Sequence, residues 1–365
     1  MSALWLLTAF FVLALLQSFL LSRFGLRALR YTRSFSRKAA FAGETVELVE
    51  VLRNEKPLPL PWLRAESRMS RHLRLGSAEQ SAQEQNLGGD EMFSRRVYTL
   101  APYSQVRRRT QVTLLRRGRY EVGTVALTCG DLLGLAAQTC QLDTGAAISV
   151  YPRLLDASRL DCPSSRWQGD LQVRRWIAPD PYLVASIRAW QPGDARRDVH
   201  WPATARMGAL QVKAHDCTAN PRLLVLLNVQ RDEGQWNHLM EYEQGWVEAG
   251  ISLAATLCVR ALSAGLEAGF GANAPSGEED AQTTLLLPGW HSGREEALLE
   301  TMARLRILRA RRFPTFLDEL GALSGMDILI LSAYDTPEIR GRMAMLRLRG
   351  NSVALWKLSR EEGAA

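Results

Sequence analysis

Arg188, Trp190, Pro192, Gly193, Asp194, Arg197, His200, Trp201, Thr204, Arg206 and Lys213 all fall within the stretch 187–213. Their types suit the handling of charge. Asp194 sits among Arg188, Arg196, Arg197 and Arg206, and arginine pairs carboxylates and phosphates through two parallel N–H bonds. Pro192-Gly193 predicts a type II turn, because proline presets φ and glycine accepts the positive φ that follows. Asp194 is then placed to accept from backbone N–H groups. Gly208 opens an alternating run, Leu210–Lys213, that predicts a short strand.

Two readings of this cluster stand side by side. In one, Asp194 and Arg197 pin a long irregular connection while Trp190 and Trp201 bury against a domain face. In the other, Trp190, Trp201 and Arg206 form a docking or ligand surface. His200 and Asp198 with Cys162 or Cys217 would make a cysteine-hydrolase set, but no nucleophile motif accompanies them. The chain also lacks a P-loop, G-x-G-x-x-G, H-E-x-x-H or G-x-S-x-G signature.

The elements that must carry the cluster follow from patterning. Ala3–Leu21 is apolar except for Thr8, Gln17 and Ser18, long enough to cross a bilayer as a helix. It lacks the basic start and A-x-A-like cleavage site of a secretory signal. Residues 1–22 are therefore expected to be a transmembrane helix, and 23–38 a basic juxtamembrane segment. Arg23, Arg27, Arg30, Arg33, Arg37 and Lys38 lie there with no acid, and they account for all but one unit of the net charge of +7. Their position predicts a single-pass protein of the bacterial inner (plasma) membrane with its soluble domains in the cytoplasm. They are expected to hold anionic lipid headgroups. The near-neutral remainder predicts no nucleic-acid partner. Five dispersed cysteines without a C-x-x-C pair suit a reducing compartment better than a disulfide framework.

Residues 39–153 show short alternating runs split by turns: 44–52, 95–100, 105–115, 119–127 and 147–151. The pattern predicts an all-β, Ig-like sandwich. Residues 54–61 read as a Pro-rich loop and 79–90 as a polar loop. Arg107, Arg108, Arg109, Arg116, Arg117 and Arg119 read as a solvated basic face, with a membrane-facing patch as the alternative. Residues 154–217 form a connecting segment. From 218 to 365 the pattern becomes strand–helix alternation. Strands are expected at 222–228, 266–271, 283–287, 327–332 and 352–358, and helices at 238–264, 293–312 and 337–347. This predicts a doubly wound α/β domain.

The run from Arg188 through Trp190, Pro192-Gly193-Asp194 and Trp201 to Lys213 resembles the signature of the DUF58 family. So do the Asn54-to-Trp62 loop and the Cys129-Gly-Asp-Leu-Leu-Gly-Leu segment. The resemblance covers nearly all of the chain after residue 23. It implies a von Willebrand factor A-like α/β domain, whose relatives hold a divalent cation through a D-x-S-x-S loop. The corresponding residues here are Asn228, Gln230 and Asp232, and Ser332 and Asp335 follow the strand that normally supplies another ligand. Losing the first aspartate removes the main anionic ligand for Mg²⁺, so a degenerate site and no cofactor are expected. The resemblance also implies a MoxR-type AAA+ ATPase partner and, in many relatives, a transglutaminase-like membrane protein. Relatives commonly carry two hydrophobic helices where this chain shows one. The expected function is a membrane-anchored, cytoplasm-facing adaptor in assembly or remodelling of a cell-envelope complex. The competing expectation is an enzyme acting on an acidic or phosphorylated substrate at the 187–213 loop.

Overall fold

The computed structural model describes residues 2–76, 84–86, 91–131, 133–156, 184–190, 199–215, 222–235, 239–240, 243–277 and 282–358. The chain divides into two units. Met1–Leu154 with Leu299–Arg306 form the first, and Leu155–Leu298 with Ile307–Ala365 the second.

The first unit begins with helix α1 (Ser2–Phe24), followed by twelve strands: β1 (Leu29–Phe35), β2 (Ala39–Phe41), β3 (Thr45–Asn54), β4 (Leu60–Ser70), β5 (Leu73–Leu75), β6 (Glu84–Asn86), β7 (Glu91–Leu100), β8 (Gln105–Leu114), β9 (Gly118–Glu121), β10 (Thr124–Gly130), β11 (Ala137–Asp143) and β12 (Ala147–Tyr151). They form a sandwich from sheets ordered β1-β3-β8-β5 and β11-β10-β4-β7-β6, with a small sheet β2-β12-β9. Strand alternation explains the packing: on β3, Val46, Leu48, Glu50, Leu52 and Asn54 point inward. The apolar core has two pools. One holds Val46, Leu48, Met69, Val112, Leu114, Ile148 and Val150, and the other Tyr31, Leu52, Leu60, Leu63, Tyr98, Leu100 and Leu127. Glu50 lies between them along β3.

Three sequence expectations change here. The sandwich starts at Leu29, so 23–38 is not a free linker. Arg33 is not a lipid-facing cation. Strand alternation turns it into the core, where it is 4% exposed and its Nε lies 3.3 Å from Glu50. Among its neighbours, Arg30 pairs with Glu55 at 3.0 Å and Arg37 with Glu44 at 3.7 Å. Arg117 likewise leaves the expected solvated face. It is buried and donates to the carbonyls of Met302, Ala303 and Leu305, all in the same unit.

Helix α1 is joined to the sandwich at its C-terminal end. Leu21 is 1% exposed and joins the second core pool. The Lys56 ammonium donates to the carbonyls of Gly25 and Arg27, and Gln138 to that of Ser22. Gly25 packs so closely on Cys129 that a Cβ there would lie 2.6 Å from its Sγ. Burial lowers the pKa of Lys56. Toward its start the helix exposes Trp5, Phe10, Phe11, Val12, Leu13, Leu15, Leu16 and Phe19.

The second unit contains the hairpin β13 (Val184–Ala189) and β14 (Gln211–His215), with α2 (Trp201–Met207) between them. Then come β15 (Arg222–Leu227), α3 (Gly245–Ser263), β16 (Glu267–Ala272), β17 (Thr284–Gly289), α4 (Arg294–Arg304, whose residues from Leu299 onward belong to the first unit), α5 (Phe313–Glu319), β18 (Asp327–Ser332), α6 (Pro337–Leu348) and β19 (Ser352–Lys357). The sheet order is β17-β16-β15-β18-β19. All neighbours are parallel except the edge strand β17. Helices cover both faces. Leu224, Leu226, Ile328 and Ile330 pack on α5 and α6, while Leu227 and Leu358 lie against Gly250 of α3. Burial on both faces is why β15 and β18 read as continuous apolar runs.

Two expected helices are shorter than their patterns. The 238–264 helix begins at Gly245, and the 293–312 helix stops at Arg304. Among the described residues, α3 is the helix long and apolar enough to cross a membrane by length and composition, and 61% of that span is buried. Thr8–Phe24 of α1 is a shorter apolar stretch.

Candidate functional site

The 187–213 stretch forms a small module. Arg188 pairs with Val212 and Ile187 with Lys213 in the β13–β14 ladder. Trp190 N–H donates to Leu210 O at 2.9 Å, and His200 N–H to Gln211 O at 2.8 Å. Between them, α2 is built from local signals that the periodicity did not flag. His200 is its N-cap, with Nδ1 accepting from Ala203 N–H at 3.1 Å. Pro202 occupies its first turn, and Gly208 ends it with φ 66°. Gly208 therefore closes a helix and does not open a strand. Thr204 Oγ1 accepts from Gln211 N–H at 3.0 Å and ties the helix to β14.

This arrangement decides what the named residues do. His200 spends its Nδ1 lone pair on a helix end, which removes that nitrogen from base chemistry. Asp198, Cys162 and Cys217 lie outside the described residues, as do Pro192, Gly193, Asp194, Arg196 and Arg197. Trp190 and Trp201 do not bury: they are 39% and 68% exposed. Met207 and Leu210 are exposed beside them, and so is Arg206. Helix α2 buries none of its residues.

A second candidate lies at the carboxyl ends of β15 and β18, where the order of the strands reverses and α/β sheets bind ligands. Asn228, Gln230, Asn273 and Ser332 are all fully or almost fully buried there. Asn228 Nδ2 donates to Ser332 Oγ at 3.0 Å. Asn228 Oδ1 accepts from Gln230 N–H at 3.0 Å and from Asn273 Nδ2 at 3.3 Å. Gln230 Oε1 accepts from Phe313 N–H at 2.9 Å and from Asn273 Nδ2 at 3.3 Å. Asn273 Oδ1 accepts from Val229 N–H at 2.9 Å. Sequence reasoning missed Asn273 because it follows β16, far from Asn228 in the chain.

The residues present do not fit a divalent cation. The oxygens nearest the expected ligand positions already accept N–H bonds. Asp232 is held by Arg231 at 3.1 Å, and Asp335 by Arg340 at 2.8 Å. Hard cations take several oxygen ligands, carboxylates foremost. Among the described residues no cluster of three His, Cys, Asp or Glu side chains is placed to hold a metal. What the network can do is tie the ends of β15 and β18 to the segment after β16 through the paired oxygens of Asn228, Gln230 and Asn273, with Gln230 Nε2 left buried and without a partner.

The sandwich carries a cleft of about 710 Å³ lined by Glu66, Arg68, Phe93, Arg119, Glu121 and Asp143. Its charges are largely paired: Arg119 lies 3.4 Å from Glu121, and Glu66 2.7 Å from Arg95.

No family model matches the chain. It is similar to the uncharacterized protein YeaD of Bacillus subtilis (strain 168), with 23% identity over 226 residues. That alignment covers 61% of this chain and 54% of YeaD, so the match spans about half the length of that relative. Among solved structures, the CARDB domain of the PF1109 protein from Pyrococcus furiosus is 10% identical. It covers 33% of this chain and 93% of its own, with a TM-score of 0.21. A PapD-like domain of human CEP192 is 12% identical over 34% of this chain and 84% of its own, with a TM-score of 0.19. Scores this low carry no argument, and the β-sandwich stands on its own sheets.

Proposed function

We propose that this protein is a membrane-anchored adaptor of the DUF58 type, with α1 in the bilayer and both units in the cytoplasm. Its α/β unit is read as a von Willebrand factor A-like domain that has given up its metal. The strand order, with one antiparallel edge strand, supports that reading. The partner we propose is a MoxR-type AAA+ ATPase, and the contact surface is the 187–213 module. One observation carries the proposal: α2 buries none of its own residues yet displays Trp201 and Met207, with Trp190 and Leu210 beside it. Tryptophan and arginine are the side chains that most often dominate binding energy at interfaces. An exposed apolar set on a hydrogen-bonded frame is a surface built to be covered.

The test is co-purification of the tagged full-length protein in mild detergent, with and without ATP, for wild type and Trp201→Ala. Nucleotide-dependent recovery of an AAA+ ATPase that Trp201→Ala abolishes, at unchanged melting temperature, is the expected result. Equal recovery by the variant moves the contact elsewhere. Recovery of no ATPase under either condition defeats the partner assignment.

A further inference from the structure

We propose that the end of the sandwich around the base of α1 is a second membrane contact, seated in the headgroup layer of an anionic bilayer. This rests on reading α1 as a membrane anchor. Three loops meet at that end. The β10–β11 turn is held there because Gln138 donates to Ser22 O and Cys129 abuts Gly25. The Pro-rich loop is held by Lys56, which donates to the Gly25 and Arg27 carbonyls. The β7–β8 turn joins them through Tyr103 N–H donating to Lys56 O at 3.3 Å.

Each loop end displays what an interface would take up. Leu133 and Leu135 are 54% and 61% exposed on the β10–β11 turn. Asp131, which would oppose an anionic surface, is turned inward: it is 2% exposed and accepts from Ala136 N–H at 2.9 Å. Tyr103 is 71% exposed and sits at φ +50°, a conformation uncommon for a bulky side chain. Tyrosine with its apolar ring and polar tip is enriched at membrane–water interfaces.

The charges agree. Arg23 and Arg27 are exposed at the same end, Arg27 stacked on Phe24 at 5.1 Å. Glu55 is already paired with Arg30 and Arg53. Continuity with an apolar helix leaving the same end, and a positive rim around it, both favour lipid as the occupant. Basic residues near the headgroups contribute roughly 1 kcal/mol each.

The full-length protein is reconstituted into phosphatidylethanolamine–phosphatidylglycerol vesicles with a photo-reactive benzophenone amino acid at one position per sample. The positions are Leu133, Leu135, Tyr103, Phe10 in α1, and Thr45 at the far end of β3, about 30 Å along the strand. Mass spectrometry reads the adducts. Lipid adducts at Leu133, Leu135, Tyr103 and Phe10 but not at Thr45 are expected, with loss at Leu133 in a purely zwitterionic bilayer. Adducts at Phe10 with none at the three loop positions overturn the contact and leave the anchor standing. No adduct at Phe10 overturns the anchor reading itself. A protein adduct at Leu133 in place of lipid also overturns the proposal.

Discussion

Arg33 and Glu50 form an ion pair inside the sandwich, with side chains 1% and 4% exposed and Nε 3.3 Å from Oε1. Arg96 and the hydroxyl of Tyr31 also donate to the Glu50 carboxylate, the latter at 2.6 Å. The second guanidinium edge of Arg33 reaches Ser67 Oγ at 2.9 Å and Val122 O at 3.2 Å. Burial, with Glu50 close by, raises the pKa of Tyr31 well above the tyrosine range. The two apolar pools of the core are thus joined by a charge cluster that ties β1, β3, β4 and β7 together.

Removing the negative partner leaves two arginines buried beside a neutral amide. Glu50→Gln is therefore expected to cost about 3–5 kcal/mol, the usual penalty for breaking a buried pair. Thermal unfolding of the full-length protein in detergent checks it. A melting temperature within error of wild type would show that the pair carries no weight.

The amide network predicts a protein indifferent to divalent cations. Its melting temperature should be the same in EDTA and in Mg²⁺, because binding would require displacing N–H donors from Asn228 and Gln230. Asn273→Ala, by contrast, strands the Val229 N–H and is expected to cost about 1–3 kcal/mol. Calorimetry on both samples reads each effect, and stabilisation by Mg²⁺ would refute the reading of the site.

Helix α2 depends on two local devices. Thr204→Val removes the bond to Gln211 N–H and should cost about 1 kcal/mol. Gly208→Ala forces a Cβ into the left-handed region and should cost about 1–2 kcal/mol. Since α2 buries nothing, both effects should be confined to the module. Hydrogen exchange is expected to accelerate at Gln211 and Val212 and to stay unchanged at Leu224–Leu226. Exchange that accelerates equally in the sheet would mean α2 supports the whole unit.

Cys258 is buried in α3, and desolvation pushes its thiol up to about 12. It should resist alkylation in the native protein at pH 8 and react once the chain unfolds. The unfolded thiol ionises near pH 9 while the folded one stays protonated. Its contribution to stability is thus complete below about pH 9 and lost as pH rises toward 12. Lys56, lowered by burial, acts in the opposite sense. The informative comparison is the slope of stability against pH, between 8 and 11, for wild type and Cys258→Ala. The variant should lose less stability over that range, and equal slopes would contradict the assignment.

Much of the architecture was legible where one residue pattern has one structural meaning. The alternation on β3 and the apolar runs of β15 and β18 each mark a strand, and the early acids of α4 mark a helix start. Elsewhere the sequence carries competing signals. Pro61 and Trp62 read as loop, yet a register shift between Leu60 and Leu63 lets the proline sit within β4 without breaking the ladder. Arg33 looked like its basic neighbours because alternation between surface and core is invisible until the partner strand is known. Helix α4 was drawn too long because Leu305–Arg312 keeps its helical composition, while Arg117 collects the carbonyls at Met302, Ala303 and Leu305. The amide network was illegible as a set: Asn228, Asn273 and Ser332 meet only through the sheet. The residue types of the 187–213 cluster mark it as a unit, but they favour burial of its tryptophans where the structure displays them.

The fastening of α1 has a mechanical corollary. Gly25–Ala28 alone separates the helix from β1, and Lys56, Gln138 and Leu21 grip its last turns. The helix and the sheets therefore behave as a mast stepped into a hull, not a buoy on a line. A tilt of a few degrees in the helix becomes the same tilt of the sandwich, and a pull on the sandwich is felt as torque along the helix. Orientation, which a slack tether would average away, is conserved across the joint.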